Sequence, residues 1–378
     1  MPARVLPSHH SKILQSLGRI FRKLFHSRRW CVYAASVKPR LRHVADLAGV
    51  SQATVSRVLN GKAGVAETTR REVLSALNQL GYEPVGVART RPRRGLVGLI
   101  VPELDNPVFP RFAQAIESRL AGEGLTTVLC TSTPAGMGEA DYLDVLLDHD
   151  VTGVVVVSGL GADSSAASDH ARYLDLLARG VATVLVNGRP EGLAVPAVTV
   201  DHAAAAGMGV AHLAALGHRR IGLAVGPRRY QPSIDFLAGY RQSIAEHGQA
   251  EELVSETLYG IEGGHAAAVQ LLARGATGIV CGSDLMALGV MRAVREAGLQ
   301  VPGDVSVIGF DDAAPNAYVH PPLTSIQQPF ESMAAAAVQL LNEQPTDSGP
   351  MPELRFRPEL VARASTGPLR VAAEVHGA

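Results

Sequence analysis

The sequence predicts a small all-α head with a helix-turn-helix, followed by an α/β body built from doubly wound parallel sheets. The first observation is the stretch 44–60, VADLAGVSQATVSRVLN, in which two short helical patterns of apolar residues are separated by a sharp turn. The second is the alternation, from Gly95 onwards, of apolar runs with helical segments. The third is composition, because 38 Gly and 4% aromatic residues favour α/β over an aromatic-rich β-sandwich.

The turn in this stretch has the residues that a helix-turn-helix requires. Ala45 is small enough for close contact between helices, Gly49 is free to take a positive φ, and Val55 supplies an apolar core residue. Ser51 precedes the second helix, where its hydroxyl can accept a hydrogen bond from a free N–H of the first turn. The second helix presents to solvent the surface that a DNA-reading helix needs, namely Gln52, Ala53, Ser56 and Arg57.

Charge is distributed unevenly along the chain, although the formal net charge is zero. Residues 1–39 carry 8 basic and no acidic side chains, and residues 40–94 carry 10 basic and 4 acidic ones. Residues 95–378 carry 17 basic and 31 acidic side chains. A basic front on an acidic body predicts a polyanionic partner at one end only.

Residues 1–39 are a basic extension that includes an amphipathic helical pattern, KILQSLGRIFRKLF. One interpretation is an extra arm that binds nucleic acid or a membrane surface. We favour the other, a disordered segment or a misannotated start, because the organised pattern begins near Val37. A secretory signal is not indicated, since charges interrupt its apolar core.

Several chemical functions are not indicated by the sequence. Cys31, Cys130 and Cys281 are an odd number without a CxxC pair, which fits a reducing cytoplasm rather than a disulfide framework or a zinc site. No apolar run approaches the roughly 20 residues of a membrane helix, so we expect a soluble protein. We also expect neither a metal nor a cofactor. The run 159–161 begins like a dinucleotide fingerprint, but Ser164 stands where the third glycine of that motif belongs, so the signal is weak. We therefore do not expect an enzyme.

The body contains apolar runs that are typical of strands buried on both faces. Helical segments such as 108–121 and 330–342 separate these runs, as the crossovers of a parallel sheet require. At about 270 residues the body exceeds one ordinary core, so we divide it into two subdomains. The predicted strands are 95–102, 126–132, 153–157, 182–186, 221–225, 278–281 and 305–310.

Seven blocks of the chain, in order, resemble the LacI/GalR family of bacterial transcription regulators. They are HVADLAGVSQATVSRVLNG, VAETTRREVLSALNQLGYEP, VGLIVPELDNPVF, LGHRRIGLAVGP, SDLMALG, VPGDVSVIGFDD and PPLTSIQQP. The resemblance implies a homodimeric regulator, more often a repressor, that binds a pseudo-palindromic operator. It also implies an effector-binding body shaped like the periplasmic sugar-binding proteins, with the effector closing a cleft between two subdomains.

The domain boundaries follow from the resemblance and from the order of the predicted strands. We expect the helix-turn-helix head at 40–83, a hinge at 84–94, the body at 95–366 and a tail at 367–378. The first subdomain is expected at 95–199 with 324–341, and the second at 200–323 with 342–366.

On the DNA side, the resemblance assigns base contacts to Gln52, Ala53 and Arg57. Gln52 can bond adenine N6 and N7, Arg57 can bond guanine O6 and N7, and Ala53 can meet a thymine methyl. Four further side chains are expected to touch phosphate or to cap helices, which positions the head without specifying sequence: Ser51, Thr54, Ser56 and Asn60.

The hinge departs from the family pattern. Members usually carry an Asn after the proline and a leucine wedge that opens a central base step, whereas this chain has Val85 and Arg91 at those positions. Gly86 and Pro92 disfavour a long hinge helix. We expect Arg89 and Arg91 to contact DNA, with Arg91 either entering a narrow minor groove or contacting phosphate alone.

The expected effector site lies where polar and aromatic side chains follow buried strands, because ligands of open α/β sheets bind outside the carboxyl ends of strands. Carboxylates, amides and an arginine around a cleft suit a polyhydroxylated ligand. The resemblance points most directly to Asn187, Asp311 and Gln328. The complete predicted set is Asn106, Phe109, Ser158, Asn187, Arg189, Phe236, Ser283, Asp284, Asp311 and Gln328.

Two of these positions depart from the family's sugar-binding pattern. Phe236 stands where the family often has an arginine, and Ser283 stands where it usually has an asparagine. A phenyl ring can stack on a sugar face or a nucleobase, but it cannot replace five N–H donors. Our first choice of effector is a sugar or sugar derivative, and the alternatives are a nucleobase or other aromatic metabolite, a protein corepressor, or no ligand at all.

Overall fold

The computed structural model describes residues 41–59, 65–80, 95–132, 136–165, 167–343 and 351–369. The chain divides into two compact units at residue 90, a head and a body. Asn60, Arg89 and Arg91, together with the basic extension and the hinge, lie outside the described residues. Within the described ranges, no helix is both long and apolar enough to span a membrane.

Three helices of the head pack around a small apolar core. Apolar residues recur at helical spacing in each of them, so each buries one face against the other two. Val44, Val55 and Val73 are fully buried at the centre of this core, and Ala45 allows close contact there. The helices are α1 (Leu41–Ala48), α2 (Gln52–Leu59) and α3 (Glu67–Gln79).

The first subdomain of the body has a six-stranded parallel sheet with helices on both faces. Its strands are β1 (Leu96–Val101), β2 (Thr126–Thr131), β3 (Gly153–Val157), β4 (Ala182–Val186), β5 (Ala197–Val200) and β11 (Glu353–Phe356), in the spatial order β2-β1-β3-β4-β5-β11. Its helices are α4 (Val108–Gly122), α5 (Glu139–Asp148), α6 (Ala167–Ala178) and α11 (Phe330–Asn342).

The second subdomain repeats this arrangement, except that its last strand is antiparallel. Its strands are β6 (Ile221–Val225), β7 (Leu253–Glu256), β8 (Gly278–Cys281), β9 (Ser306–Asp311), β10 (Thr324–Gln327) and β12 (Glu359–Val361), in the order β7-β6-β8-β9-β10-β12. Its helices are α7 (His202–Ala215), α8 (Gln231–Glu246), α9 (Ile261–Ala273) and α10 (Asp284–Glu296).

Continuous apolar runs form the central strands, as the sequence predicts. Every residue of β3, with the sequence GVVVV, is buried, and so is every residue of β9. These strands are covered on both faces, which removes the alternation of apolar and polar residues seen in half-exposed strands. The strands that the sequence did not reveal are short ones, each of three or four residues: β5, β7, β10, β11 and β12.

The chain passes between the subdomains three times, and two of the predicted passages need correction. The first passage follows Val200. The second follows Gln327 rather than Leu323, because β10 pairs with β9 in the second sheet. The third follows Phe356 rather than Leu341, because β11 pairs with β5 in the first sheet. Because β10 and β11 are short and contain polar residues, the sequence does not show where these two passages lie.

Helices α7 and α8 approach so closely that one position tolerates only glycine. A Cβ atom on Gly239 would lie 2.0 Å from the carbonyl oxygen of Ala203. We expect Gly239→Ala to lower the free energy of unfolding by roughly 1–3 kcal/mol, because the helices must separate. Thermal denaturation of the full-length protein measures this effect.

Gly122→Ala is the matched control for this prediction. Gly122 is the last residue of α4, and a Cβ atom there meets nothing within 4 Å. Alanine at this position should leave the melting temperature unchanged or raise it slightly, because it favours the helix. Equal melting temperatures for the two variants would show that the backbone contact at Gly239 does not constrain the packing.

Candidate functional site

The recognition helix of the head starts at a turn held by three consecutive residues. Gly49 has a φ of +64°, a conformation that costs glycine little. The N–H of Val50 donates to the carbonyl oxygen of Ala45 at 3.0 Å, which closes the turn. Ser51 Oγ accepts a hydrogen bond from the N–H of Thr54 at 3.1 Å, so Ser51 caps α2 as the sequence predicts.

Helix α2 has one buried and one outward face. Val55 and Val58 are buried in the core of the head and fix the orientation of the helix. Gln52, Ala53 and Arg57 are exposed. Ser51 is also exposed, while Thr54 and Ser56 are half-buried. The three side chains predicted to contact bases are therefore presented on the solvent side of a helix whose other side is anchored.

The body contains a cavity of about 240 Å³, which we call the inner cavity, lined by residues of both subdomains. It lies at the carboxyl ends of the strands, near the point in each sheet where the strand order reverses. Eight of the ten predicted effector residues line it: Asn106, Phe109, Ser158, Asn187, Phe236, Ser283, Asp311 and Gln328.

A chain of hydrogen bonds joins the two subdomains at this cavity. Asn187 Nδ2 donates to Gln328 Oε1 at 2.8 Å, and Gln328 Nε2 donates to Asp311 Oδ1 at 2.6 Å. Asn187 Oδ1 accepts from the N–H of Val200 at 3.1 Å, which fixes the orientation of the amide. The three side chains that the resemblance favoured most thus form one network.

Arg189 and Asp284 do not line the inner cavity, which corrects the prediction. The Arg189 guanidinium donates to the carbonyl oxygen of Met351 at 3.1 Å and pairs with Glu353 at 3.0 Å, so it ties β11 to the first subdomain. Asp284 accepts from the N–H of Ala313 at 2.7 Å, within the second subdomain. Arg189 lies two positions after Asn187, and Asp284 lies one position after Ser283. Both Asn187 and Ser283 line the cavity, but side chains so close in sequence point in different directions.

Burial and proximity perturb the two buried carboxyls near the cavity. Burial raises the pKa of Asp311 well above its usual range, and the neighbouring Asp284 carboxylate raises it further. Burial also raises the pKa of Asp284 to about 6. Both carboxyls therefore take up a proton more readily than an exposed aspartate does.

Backbone strain is concentrated at the same cavity. Ser158, Asn187 and Asp311 have φ values of 59°, 56° and 112°, in the left-handed region that favours glycine. Each follows directly after a strand or ends one, and each lines the cavity. Strained non-glycine residues of this kind persist where the surrounding structure holds them, and they cluster at ligand sites.

Aromatic rings form most of the apolar wall, and the sequence analysis missed the majority of them. The chain has only eight Phe, eight Tyr and one Trp, yet six of these rings line the inner cavity. Glu103 and Phe310 lie within the motifs VPELDN and GFDD, which could have indicated them. Tyr230 and Tyr259 come from connecting segments without a motif. The missed residues include Glu103, Phe112, His202, Tyr230, Pro232, Tyr259 and Phe310.

At the mouth of the cleft, loops of the two subdomains meet. Ser164 Oγ and the Ser164 N–H both donate to the carbonyl oxygen of Arg229 at 2.7 Å. The Arg229 guanidinium lies 3.3 Å from Asp163 and stacks over the ring of Tyr230, 4.8 Å from its centroid. These contacts link the two subdomains and fix the position of the Tyr230 ring.

His202 is buried at the cavity wall, 5.6 Å from the ring of Phe310 between centroids. Burial lowers its pKa from 6.5 to about 4. The unfolded chain therefore takes up a proton first as the pH falls, so stability present above pH 6.5 is lost progressively toward pH 4. The loss from this group amounts to roughly 3 kcal/mol at most.

We expect His202→Gln to remove this part of the acid destabilisation, which thermal denaturation of the full-length protein between pH 7 and pH 4 measures. The control is His149→Gln, which changes an exposed histidine in the connection between α5 and β3. Its stability should depend on pH in the same way as that of the unmodified protein. Parallel stability curves for all three proteins would contradict the assignment to His202.

Comparison with known sequences gives matches for both units. Residues 40–85 match the family described as bacterial regulatory proteins, lacI family. Residues 210–366 match the periplasmic binding protein-like domain. Among relatives, the HTH-type transcriptional regulator MalR of Streptomyces coelicolor is 49% identical over 336 residues, which cover 86% of this chain and 96% of MalR.

Solved structures show the same architecture. A complex of the transcriptional regulator CelR with cellobiose matches with a TM-score of 0.63 and 31% identity, covering 86% of this chain and 99% of that one. The Lac repressor dimer bound to operator and the anti-inducer ONPF matches with a TM-score of 0.62 and 28% identity, covering 87% and 99%. The chain thus belongs to the LacI family of DNA-binding transcriptional regulators, with a helix-turn-helix head and a periplasmic-binding-protein-like body.

Proposed function

We propose that this regulator is a homodimeric repressor whose affinity for operator DNA is controlled by a neutral sugar bound in the inner cavity. The observation that carries the proposal is the charge of the cavity wall. Among the described lining residues, Glu103 and Asp311 are acidic, and none is Arg or Lys. A phosphorylated sugar or a nucleotide needs cationic or charge-assisted donors, which this wall does not supply.

A neutral sugar suits the remaining chemistry of the wall. Sugar hydroxyls donate to carboxylates and amides and also accept from amide N–H groups, so Asn106, Asp311 and Gln328 offer both kinds of partner. Phe236 is buried and packs edge-on against Phe310, with centroids 5.3 Å apart. These rings provide an apolar surface for the C–H face of a sugar. At the position where the family often has an arginine, Phe236 therefore offers a stacking surface instead of hydrogen-bond donors.

Control of DNA binding follows from the position of the ligand between two subdomains. An effector that contacts both, for example through Ser158 and Ser283, stabilises the closed cleft relative to the open one. Any change of operator affinity on sugar binding must be matched by an equal change of sugar affinity on operator binding. The relatives support this assignment, because CelR was solved with cellobiose and the Lac repressor dimer with operator.

We further infer that the protein acts on DNA in the bacterial cytoplasm, associated with the nucleoid when bound to operator, and catalyses no reaction on its effector. The support is that its relatives are named as transcriptional regulators. For the head, we infer that Gln52, Ala53 and Arg57 contact bases, since they are exposed on α2.

Arg57→Ala should weaken binding to an operator selected from random DNA by roughly 1–3 kcal/mol, because a bidentate contact to guanine is lost. Binding to unrelated DNA should change far less. Arg71→Ala, which removes an exposed arginine from α3, is the matched control. Fluorescence anisotropy at fixed salt measures both affinities. An equal loss for both variants on both DNAs would contradict base reading by Arg57.

The sugar assignment is tested by thermal shift and calorimetry on the full-length protein. Glucose, galactose, ribose, maltose and cellobiose are compared with glucose 6-phosphate and adenine, and at least one neutral sugar should raise the melting temperature. That sugar should also change operator affinity. A response to glucose 6-phosphate or adenine alone, or stabilisation without any effect on operator affinity, would overturn the proposal.

Asp311→Asn is the matching variant for the cavity, because it keeps the shape of the side chain and removes the carboxyl group. We expect it to weaken binding of the active sugar at least tenfold, as expected for the loss of a hydrogen bond to a charged or proton-sharing group. Asp148→Asn changes an exposed carboxylate at the end of α5 and should leave binding unchanged.

A further inference from the structure

One arginine that lies outside the inner cavity links the two subdomains. Arg111, in the first turn of α4, is half-buried and does not line the cavity. Its guanidinium donates to the carbonyl oxygen of Asp312 at 3.2 Å and lies over the ring of Phe330, 4.1 Å from the ring centroid. Asp312 belongs to the second subdomain, whereas Phe330 begins α11 in the first. Arg111 therefore contacts a turn of the second subdomain from a helix of the first.

These two contacts place Arg111 next to the hydrogen-bond chain of the inner cavity. Asp312 directly follows Asp311, and Phe330 lies two positions after Gln328. Asp311 and Gln328 are hydrogen-bonded to each other, and both line the cavity. A ligand that changes the position of either residue thus acts on backbone adjacent to the groups that Arg111 contacts.

The turn at Asp312 is firmly attached to the second subdomain. Its φ of 52° lies in the left-handed region, where a non-glycine residue persists only if its surroundings hold it. The N–H of Asp312 donates to Ser325 Oγ at 3.1 Å, and its carboxylate pairs with Arg363 at 2.6 Å. Arg363 also donates to the carbonyl oxygen of Leu323 at 2.8 Å. Arg111 therefore contacts a point whose position is fixed by the rest of the second subdomain.

Helix α4 is in turn attached to the strand that follows the hinge. The hinge segment 84–94 runs directly into β1, and α4 is the next helix in the chain. Phe112 and Ile116 of α4 pack in one core with Val97 and Leu99 of β1. Because this core is closely packed, a shift of α4 relative to the second subdomain also shifts the strand to which the hinge connects.

We propose that Arg111 is a positioning residue for allosteric control, which stabilises this arrangement of the two subdomains and couples it to operator affinity without touching the sugar. The inference rests on the proposed function, since it requires that a sugar controls operator binding. A sugar in the inner cavity contacts the same two subdomains, so the sugar and Arg111 stabilise the same arrangement.

Loss of the Arg111 contacts must therefore act against the sugar. It weakens sugar binding from outside the cavity, because less of the protein is in the arrangement that binds sugar. It also shifts operator affinity in the direction opposite to the shift that the sugar produces. This sign relation holds whether the sugar weakens or strengthens operator binding.

The test is Arg111→Gln in the full-length protein, with Arg119→Gln as the matched control. Arg119 is exposed near the end of the same helix and should give no change. Fluorescence anisotropy measures affinity for the operator selected from random DNA, with and without glucose, galactose, ribose, maltose or cellobiose. Isothermal titration calorimetry measures the affinity for each sugar without DNA.

For Arg111→Gln, sugar affinity should fall, and sugar-free operator affinity should shift opposite to the effect of the sugar. The two fold-changes multiplied together should amount to at least threefold, and a high sugar concentration should reduce the difference in operator affinity. Arg111→Lys keeps the charge and a donor but loses the planar stacking on Phe330, so it should give smaller shifts in the same directions.

The outcomes separate this inference from the proposed function. Unchanged affinities for both sugar and operator, an operator shift in the same direction as that of the sugar, or equal effects of Arg111→Gln and Arg119→Gln would overturn the role of Arg111 while sugar control stands. If none of the five sugars binds to the unmodified protein, the proposed function fails together with the inference. Melting temperatures of the variants, measured without sugar or DNA, show whether they are folded.

Discussion

The hydrogen-bond chain from Asn187 through Gln328 to Asp311 is the interaction on which the inner cavity depends. It joins residues from both subdomains at the place where the chain leaves β10 for the first subdomain. Each amide in the chain uses both its nitrogen and its oxygen in hydrogen bonds to the protein, which fixes its orientation and so determines where a ligand hydroxyl can bond. The strained backbone at Asn187 and Asp311 persists because this network and the buried strands hold it.

The charge of the cavity wall has a structural origin. The arginine that the sequence suggested for the cleft, Arg189, is occupied by Glu353 and by carbonyl oxygens at the edge of the first sheet. The other position at which the family often has an arginine holds Phe236, buried against Phe310. As a result, acidic groups, amides and aromatic rings remain. A wall of this composition favours neutral polyhydroxylated ligands over anions.

Two contacts join the subdomains across the cleft. In one of these contacts, Arg111 of α4 donates to the carbonyl oxygen of Asp312 at 3.2 Å, and its guanidinium stacks on Phe330, 4.1 Å from the ring centroid. At the mouth, Ser164 donates to Arg229. Both contacts join the two subdomains, and both are available only when they approach. A ligand that adds further contacts to this arrangement shifts the population toward the closed form.

The sequence by itself determined the fold class, the helix-turn-helix and most of the residues that line the inner cavity. Gly49, Ser51 and Val55 predict the turn and its cap because helix starts and tight turns depend on residues close in the chain. Eight of the ten residues predicted for the effector site line the inner cavity, because a residue that follows a buried strand can be identified from the sequence pattern alone. These positions can be predicted because their conformation depends mainly on residues close to them in the sequence.

Only the tertiary structure decided how these segments combine. The short strands β10 and β11 pair with distant strands in different sheets, so no local pattern marks the passages at Gln327 and Phe356. Side-chain direction at a strand end depends on packing, which is why Ser283 reaches the cavity and Asp284 does not. Tyr230 and Tyr259 reach the inner cavity from segments that connect the strands and helices of the second subdomain. Such contacts join residues far apart in the chain, and their positions follow from the packing of whole subdomains.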